Sequence, residues 1–313
     1  MAHLSLHSRL IADTVRTDAY QSALRERITP DSVVLDIGTG TGLLALIACR
    51  LGAKRVHAVE VDETLRLARA VAKDNDCSER IEFLQGLSTQ IELPERADVI
   101  VSDLHGVLPL FRRHLPSIVD ARERLLAPGG VLIPERELLW GAIVEAPLLY
   151  GQMVGAWDGQ PYGLDMQAVR EMATNSLVKG QFTADQLVTP SVLLATLDYM
   201  SLEQSDFVLE ATMTAARDGA GHGIAVWFDA ILAPGIEISN APGQPEMIYG
   251  QAFFPWPHPV ELRTDDTISV VLWATLLKDD YAWTWKTSVR SAGEPGRILT
   301  AFEQSTLFLG PFS

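Results

Sequence analysis

Short apolar runs alternate with segments of helical periodicity between about residue 31 and residue 137. The helical segments are of the type "TLRLARAVAKDN", in which apolar residues recur at helical spacing. The apolar runs, rich in valine and isoleucine, are "SVVLDI", "RVHAVEV", "RIEFLQG", "DVIVSDL" and "GVLIPE". Because buried parallel strands joined by crossover helices produce this alternation, residues 31–137 are predicted to form an α/β domain.

The pattern changes after Pro134, where strand-like runs continue without long helical segments between them. These runs include "LLWGAIVEA", "VTPSVLLATLDY", "DFVLEATMTA", "GIAVWFDAIL" and "TISVVLWATLL". They predict an all-β second domain over residues 138–313. A long, partly helical insertion at about residues 148–185 does not fit a compact β domain. It is interpreted either as an arm that packs on another subunit or as a lid or covering loop.

The chain has 313 residues, of which 47% are hydrophobic, and a formal net charge of -15. Its length and apolar content suffice for two linked cores. The negative field would repel phosphate backbones and acidic membrane surfaces, so neither nucleic acid nor a membrane is expected as a partner.

Cysteine content and the N-terminal sequence bear on the compartment. Cys49 and Cys77 are too few for a disulfide scaffold and lack metal-ligand spacing, so a reducing compartment is expected and a metal site is not. Arg9 and Asp13 interrupt the stretch that a signal peptide would need to be apolar, and no later apolar run reaches membrane-spanning length. A cytoplasmic protein is therefore expected.

The stretch "DIGTGTGLL" places Gly38, Gly40 and Gly42 directly after the first predicted strand. Glycines there let a ligand approach the backbone amides, because no Cβ atom intervenes. A dinucleotide fingerprint needs a small residue five positions after the first glycine, where this chain has Leu43. Asp36 would repel a pyrophosphate but attract an ammonium group. The loop therefore favours S-adenosylmethionine (SAM), which has an ammonium group and no phosphate.

The second predicted strand supports the same cofactor. It ends in Glu60, where a carboxylate can accept hydrogen bonds from both ribose hydroxyls. Taken alone, Glu60 could be a solvated strand end, but together with Asp36 and the strand order it predicts SAM binding. Ser88, which follows the third predicted strand, is a further candidate for contact with the cofactor.

Five segments in order resemble the protein arginine methyltransferases. They are "LIADTVRTDAY", "VVLDIGTGTGLLALIACRLGAKRVHAVE", "ADVIVSDLHG", "ARERLLAPGGVLIPE" and "WDGQPYGLDM". The resemblance implies an N-terminal helical lid at residues 1–30, a Rossmann-like SAM-binding domain at 31–137 and an antiparallel β-barrel domain at 138–313. It also implies that the insertion at about 148–185 is a helical arm that makes a head-to-tail homodimer.

By the same resemblance, "DTVRT" belongs to a helix that folds over the cofactor. Arg16 would pair with the methionine carboxylate of SAM, and a guanidinium suits that task because it donates two parallel hydrogen bonds. Asp13 and Tyr20 would lie on the same lid and shape the substrate pocket. An ordinary surface helix is the alternative interpretation.

The chain departs from the family in the loop that follows the fourth strand. The family motif is S-E-W-M-G followed by a second Glu, and its two carboxylates grip the guanidinium of the target arginine. Here the loop is "SDLHGVLPLFRRHL", so Asp103 replaces the first Glu and, counted without gaps, Arg112 stands in place of the second. Arg112 would either bind a carboxylate of the substrate or be a solvated helix residue.

The Thr-His-Trp motif of the family is also altered. The stretch "FFPWPHPVEL" aligns Trp256 with the tryptophan and Pro255 with the histidine, and His258 lies two residues beyond. His258 is interpreted either as a substrate-site residue or as part of a rigid loop. His7 and His105 are candidate proton carriers, with structural roles as the alternative.

Three functions remain open at this point. The first is an N-methyltransferase that acts on a guanidinium or related nitrogen of a protein, peptide or free amino acid, with Asp103 orienting the acceptor. The second is an N- or O-methyltransferase of a small biosynthetic metabolite. The third is a dimeric protein that binds SAM without catalysis.

Overall fold

The computed structural model of the protein describes residues 2–294 and 296–308. Two helices come first, α1 at Ala2–Ala12 and α2 at Thr14–Arg27. Asp13 separates them and caps α2, because its side chain accepts a hydrogen bond from Arg16 N. The two helices lie within the segment predicted to be a lid.

A five-stranded parallel sheet follows the two helices. Its strands are β1 (Val33–Ile37), β2 (Arg55–Glu60), β3 (Ile81–Gln85), β4 (Ala97–Ser102) and β5 (Leu126–Ile133). The helices between them are α3 (Leu43–Arg50), α4 (Leu65–Asp74) and α5 (His114–Arg124). The order β3-β2-β1-β4-β5 confirms the predicted α/β architecture.

The strand order reverses between β1 and β4. These strands pair in parallel, with Asp36 opposite Val101 and Ile37 opposite Ser102. Parallel strands bring their carboxyl ends to one edge of a sheet, and ligands bind where the order reverses. The glycine loop after β1 and the Asp103 loop after β4 therefore begin side by side.

The second half of the chain forms two antiparallel sheets. The first has the order β7-β12-β10-β6-β8, with β11 paired to β10, and the second has the order β15-β14-β13-β9. In chain order these strands are β6 (Arg136–Val144), β7 (Val178–Gly180), β8 (Val192–Asp198), β9 (Phe207–Thr214), β10 (Gly219–Ala233), β11 (Ile236–Ser239), β12 (Gln251–Leu262), β13 (Thr267–Leu277), β14 (Asp280–Arg290) and β15 (Ile298–Ser305). The all-β prediction is confirmed. Within residues 2–294 and 296–308 no strand ladder joins the two sheets into a closed barrel.

The insertion between β6 and β7 contains helices α6 (Pro147–Val154) and α7 (Gln167–Thr174). Its inner side packs on the first antiparallel sheet through Tyr150 and Val154, which form a small core with Phe182 and Phe253. A much larger core is continuous from the parallel sheet into both antiparallel sheets. The predicted domain boundaries, between residues 30 and 31 and between residues 137 and 138, stay a prediction.

Among the described residues, no helix combines the length and the apolar character that crossing a bilayer would require.

Candidate active site

The glycine loop between β1 and α3 has the backbone conformation that its sequence predicts. The φ angle is 77° at Gly38, 55° at Gly40 and 88° at Gly42, all in the left-handed region. A Cβ atom at Gly40 would lie 2.6 Å from the His7 ring. The left-handed backbone conformation therefore favours glycine at all three positions of this loop.

Two carboxylates flank the loop. Asp36 is buried, and its Oδ2 accepts hydrogen bonds from Thr39 Oγ1 at 2.6 Å and Ala45 N at 3.0 Å. Burial raises the pKa of Asp36 to about 7, although these hydrogen bonds act in the opposite direction. Glu60 Oε2 accepts a hydrogen bond from Gly40 N at 2.9 Å. The two acids predicted to select SAM thus lie on either side of the loop.

A cavity of about 60 Å³ lies beside the loop. Helix α1 covers it with His7, Leu10 and Ile11. Ligand cavities in proteins typically measure about 300–1,000 Å³, so this cavity is small for a nucleoside.

The chemistry of the cavity residues fits SAM. Arg16 is the only arginine or lysine among the described residues that line the cavity, and Asp36 and Asp103 are the only acids. An amino-acid group brings one ammonium and one carboxylate, which an acid and an arginine can bind. Asp36 and Arg16 would hold these two ends.

The carboxylate of Asp103 is already surrounded by donors. Arg16 pairs with its Oδ2 through Nε and Nη2. Tyr249 donates its hydroxyl to Oδ1 at 2.7 Å, and His105 Nδ1 lies 3.0 Å from the same oxygen. The side chains of Arg16 and Asp103 are only 6% and 5% exposed. Asp103 therefore already binds a guanidinium, one supplied by the chain itself.

A second carboxylate reaches the same loop from β6. Glu137 Oε1 lies 2.5 Å from His105 Nε2 and forms an ion pair with it. Its Oε2 accepts a hydrogen bond from Tyr199 OH at 2.5 Å, and His114 Nε2 lies 3.1 Å from that hydroxyl. The imidazole of His105 is thus held between Asp103 and Glu137.

The neighbouring charges fix the protonation of this network. Burial opposes a charge on His105, but Glu137 and Asp103 raise its pKa to about 10. Burial would raise the pKa of Asp103, but Arg16 and His105 hold it well below its usual range. Burial and the neighbouring His105 lower the pKa of His114 to about 3. At neutral pH two cations, Arg16 and His105, face two carboxylates.

His105, His114 and Glu137 also offer ligand atoms within 4.8 Å of one another, a spacing that could suit a metal ion. A metal would have to displace the proton of His105, because coordination requires a neutral imidazole. The proton already balances the charge of Glu137, so the ion pair accounts for the cluster.

Arg112 lies away from the network of Asp103, His105 and Glu137. The ungapped count along the loop predicted Arg112 at the acceptor site, and the structure corrects that prediction. Its side chain is exposed, and its guanidinium lies 5.1 Å from the centre of the Phe111 ring. Asp280 Oδ1 accepts a hydrogen bond from the Arg112 amide at 3.0 Å, so the loop is drawn toward the hairpin of β13 and β14. Contact between Arg112 and a substrate carboxylate does not fit this position.

The structure places Trp256 in the core, which differs from its predicted role in substrate binding. Strand β12 carries Trp256 into the core, where the residue is 0% exposed and its ring centre lies 5.8 Å from that of Phe302. His258 is exposed and packs edge-on against the same Phe302 ring. The aromatic side chain that contacts Asp103 is Tyr249, at the loop before β12. Neither Trp256 nor His258 contacts the site.

Asp13 and Tyr20 support Arg16 rather than face the cavity. Asp13 Oδ1 accepts a hydrogen bond from Arg16 N at 3.0 Å, and its Oδ2 accepts one from Ile248 N at 2.8 Å. The buried Tyr20 donates to Ser102 O at 3.3 Å, with the Arg16 guanidinium 5.3 Å from its ring centre. These contacts tie α2 to the end of β4 and to the loop before β12.

Ser88 is buried at the start of the short 3-10 helix Ser88–Gln90, after β3. Its carbonyl oxygen accepts a hydrogen bond from Arg124 Nη2 at 3.0 Å. It is not among the residues that line the cavity, so its role as a cofactor contact stays a prediction.

Sequence reasoning missed Glu137, Tyr249, Tyr199 and His114. Glu137 begins the otherwise apolar run "ELLWGAIV". Because an acid is rarely buried in an apolar strand without a partner, its position could have indicated a functional residue. The other three come from segments that become neighbours only in the folded chain, so their role has no local signal.

Two family models match the chain. The model described as the arginine methyltransferase oligomerization subdomain matches residues 138–283. The model for ribosomal protein L11 methyltransferase matches residues 17–134. The first covers most of the β-rich half, and the second covers the parallel sheet.

Curated relatives span both halves. Protein arginine N-methyltransferase 1 of Schizosaccharomyces pombe is 31% identical over 233 residues, which are 73% of this chain and 68% of that protein. Protein arginine N-methyltransferase 1.1 of Arabidopsis thaliana is 32% identical over 233 residues, which are 73% of this chain and 60% of that protein. The chain thus spans about two thirds of the length of these relatives.

Solved structures share the fold over nearly the whole chain. The Trypanosoma brucei PRMT1 enzyme-prozyme heterotetrameric complex with AdoHcy superposes with a TM-score of 0.87 at 22% identity, covering 97% of this chain and 98% of that chain. Protein arginine methyltransferase 10 of Arabidopsis thaliana, in an open conformation, gives 0.85 at 23% identity and covers 96% and 97%. With the sequence identity to the curated relatives, these comparisons establish that the chain belongs to the protein arginine methyltransferase family of SAM-dependent enzymes.

Proposed function

We propose that this protein transfers the methyl group of SAM to a guanidinium nitrogen of arginine in a protein or peptide. The observation that carries the proposal is the buried carboxylate of Asp103, which binds a guanidinium at the edge of the cavity beside the glycine loop. Family membership supports the same acceptor.

The cofactor would be held by the acids and the arginine that line or flank the cavity. Asp36 suits the ammonium group, Arg16 the carboxylate, and Glu60 the ribose hydroxyls. When bound, SAM supplies a methyl group on a positively charged sulfur. Asp36, Arg16 and Asp103 all line the same cavity.

Asp103 would bind and orient the acceptor. A guanidinium has five donors, and a carboxylate that accepts two of them fixes the direction of the reacting nitrogen. His105 keeps its own proton at neutral pH, so it stabilises the ionised Asp103 instead of removing a proton from the acceptor. The residues of this site therefore act by alignment and charge stabilisation.

The test is transfer of an isotope-labelled methyl group from SAM. The purified protein is incubated with labelled SAM and a cell lysate, which is then separated into macromolecular and small-molecule fractions. We expect label in protein, and Asp103→Asn should reduce it about 100-fold or more, because a neutral amide cannot pair with the cation. Asp120→Asn, at an exposed pair with Arg124, is the matched control and should keep full activity.

Label in the small-molecule fraction alone would support a metabolite as the acceptor and contradict this proposal. Bound SAM without label in either fraction would identify a non-catalytic SAM-binding protein.

We also infer a homodimer formed through the insertion at about residues 148–185. Its outer side carries Leu148, Tyr162 and Leu164, which are 82%, 102% and 60% exposed. Exposed apolar side chains in one segment are typical of protein interfaces. The family model that covers this segment describes an oligomerization subdomain. A cytoplasmic location stays a prediction that the two buried, unpaired cysteines support.

A further inference from the structure

We infer that Lys179 is a positioning residue for methyl transfer, because it holds the loop that carries Tyr249. This Tyr249 loop comprises residues 240–250, between β11 and β12. Lys179 lies on β7, near the end of the insertion, and is not among the described residues that line the cavity. The inference rests on the proposed function, because the Tyr249 loop contacts Asp103, the carboxylate that would orient the acceptor.

Tyr249 helps to set the orientation of the Asp103 carboxylate. Its hydroxyl donates a hydrogen bond to Asp103 Oδ1 at 2.7 Å, and the residue is buried. Its ring centre lies 5.3 Å from that of Phe228 and 5.6 Å from that of His105. Because a hydrogen bond weakens steeply as its angle departs from linearity, a small displacement of the Tyr249 backbone would alter the contact with Asp103.

Lys179 holds the peptide unit that leads directly into Tyr249. Its Nζ atom donates a hydrogen bond to Ile248 O, the carbonyl oxygen of that unit. Because a peptide unit is planar, holding its carbonyl oxygen also fixes the direction in which the chain enters Tyr249. Asp13 holds the other side of Ile248, since its Oδ2 accepts a hydrogen bond from Ile248 N at 2.8 Å. The backbone before Tyr249 is therefore held both from β7 and from the N-terminal helices.

Strand register and a glycine bring Lys179 to this carbonyl. Strands β7 and β12 pair in antiparallel register, with Lys179 opposite Ala252. Gly250, the last residue of the loop, has a φ angle of 59°. A Cβ atom at Gly250 would lie 2.7 Å from Lys179 Cε and 3.1 Å from its Cγ. The aliphatic part of Lys179 thus packs directly over a glycine, and its ammonium group extends to the loop.

Two buried amide side chains hold the backbone after Tyr249. Asn240 Nδ2 donates a hydrogen bond to Gly250 O, and Gln251 Nε2 donates one to Asn240 O at 2.5 Å. Asn240 and Gln251 are buried, so their substitution would disturb the core, whereas Lys179 is exposed. Replacing Lys179 therefore tests the position of the Tyr249 loop without opening a cavity.

A double-mutant cycle tests whether Lys179 acts through Tyr249. The initial rate of methyl transfer from labelled SAM to lysate protein is measured for Lys179→Met, for Tyr249→Phe and for the double variant. Lys179→Met should lower the rate about fivefold, because it removes one hydrogen bond to the loop. The double variant should be no slower than Tyr249→Phe, because Lys179 has no effect without the Tyr249 hydroxyl. Multiplied effects in the double variant, or a wild-type rate in Lys179→Met, would overturn the inference and leave the proposed function intact.

Two further variants separate the hydrogen bond from the charge of the side chain. Lys179→Arg should keep about half of the wild-type rate or more, because a guanidinium can donate to the same carbonyl. A rate as low as that of Lys179→Met would contradict the hydrogen bond as the cause. Lys286→Met, at an exposed pair with Glu303, is the matched control and should keep the full rate.

Binding of S-adenosylhomocysteine shows whether the effect is confined to the Tyr249 loop. Titration calorimetry should give an affinity for Lys179→Met within about twofold of the wild type, because distant sites that share no partner act independently. A loss of this affinity as large as the loss of rate would overturn the assigned role, since it would show that the substitution disturbs the whole site.

A spectroscopic probe at Tyr249 reports the position of the loop without any acceptor. 3-Fluorotyrosine is incorporated in place of Tyr249, and its ¹⁹F NMR signal is recorded. Lys179→Met should shift or broaden this signal, whereas Lys286→Met should leave it in place. An unchanged signal in a folded Lys179→Met protein would overturn the inference. If the wild type labelled no lysate protein, the proposed function would be wrong, but the ¹⁹F signal would still decide whether Lys179 positions Tyr249.

Discussion

Asp36 and Asp103 lie at the same edge of one sheet, yet their surroundings push their pKa values in opposite directions. Asp36 is buried beside neutral donors, so burial dominates and raises its pKa to about 7. Asp103 is also buried, but Arg16 and His105 hold its pKa well below the usual range. The first carboxylate is therefore sensitive to pH near neutrality, whereas the second stays charged.

Binding of S-adenosylhomocysteine should consequently depend on pH. The ionised form of Asp36 attracts the ammonium group, so the affinity should rise between pH 5.5 and 7.5, by up to about tenfold per unit below pH 7, and then level off. Calorimetric titrations at five pH values measure this profile. Asp36→Asn should bind more weakly and show a flat profile. A flat profile for the wild type would refute the assignment.

The buried ion pair of His105 and Glu137 predicts a pH-dependent stability. The pKa of His105 is about 10 in the folded chain and about 6.5 when unfolded. Its proton therefore stabilises the fold fully below pH 6.5, and this contribution is lost as the pH rises through 10. Glu137→Gln should lower the free energy of unfolding at pH 7 by about 3–5 kcal/mol, and it should weaken the decline between pH 7 and 10.

Urea unfolding at pH 7, 8.5 and 10 tests this prediction. Glu135→Gln, at a partly exposed pair with Arg27, is the control and should change stability by less than about 1 kcal/mol. The same pH slope in Glu137→Gln and the wild type would rule out a proton held by this pair.

At the scale of elements, local sequence was enough for the parallel sheet and its glycine loop. Strand β1 is buried on both faces, so it appears as a continuous apolar run, and left-handed φ angles select the glycines of the loop. The placement of Asp36 and Glu60 at one sheet edge could be predicted because strand ends in a parallel sheet share an edge.

The acceptor side could not be derived in this way. Glu137, Tyr249 and Asp103 meet through contacts between β6, the loop before β12 and the loop after β4, and no spacing in the sequence encodes them. Trp256 was chosen because it is a tryptophan near the expected motif, but strand register directs its side chain into the core. Arg112 was counted without gaps, while the loop itself bends toward β14.

Helix α2 and the loop that carries Tyr249 are joined by Asp13, which predicts the behaviour of the lid. Asp13→Ala removes the cap of α2 and the contact with Ile248 N, and should cost about 1 kcal/mol of local stability. Backbone amides of α1 and α2 should then exchange with deuterium about fivefold faster, as measured by mass spectrometry. Asp18→Ala, on the exposed face of α2, is the control. Unaltered exchange in Asp13→Ala would show that the cap does not hold the lid.

At the scale of the whole molecule, the net negative charge opposes dimer formation, whereas the apolar surface of the insertion favours it. A net charge of -15 opposes close approach of two copies. An interface must therefore come from a local apolar surface, and the outer side of the insertion provides one in Leu148, Tyr162 and Leu164.

Leu148→Glu combined with Tyr162→Glu should abolish dimer formation, because the pair places two charges in the proposed interface. Sedimentation equilibrium should give about twice the chain mass of 34.3 kDa for the wild type and 34.3 kDa for the double variant. Leu277→Glu, at the exposed last residue of β13, is the control, and this variant should stay dimeric. A monomeric wild type would contradict the proposed assembly.

The account depends most on Asp103 as the carboxylate that presents a guanidinium to the methyl donor. Its most direct test is mass-spectrometric amino-acid analysis of protein labelled by the wild type and by Asp103→Asn. We predict labelled methyl groups on the guanidinium nitrogens of arginine, reduced about 100-fold or more in the variant. Label on another amino acid, or equal labelling of arginine by both proteins, would contradict it.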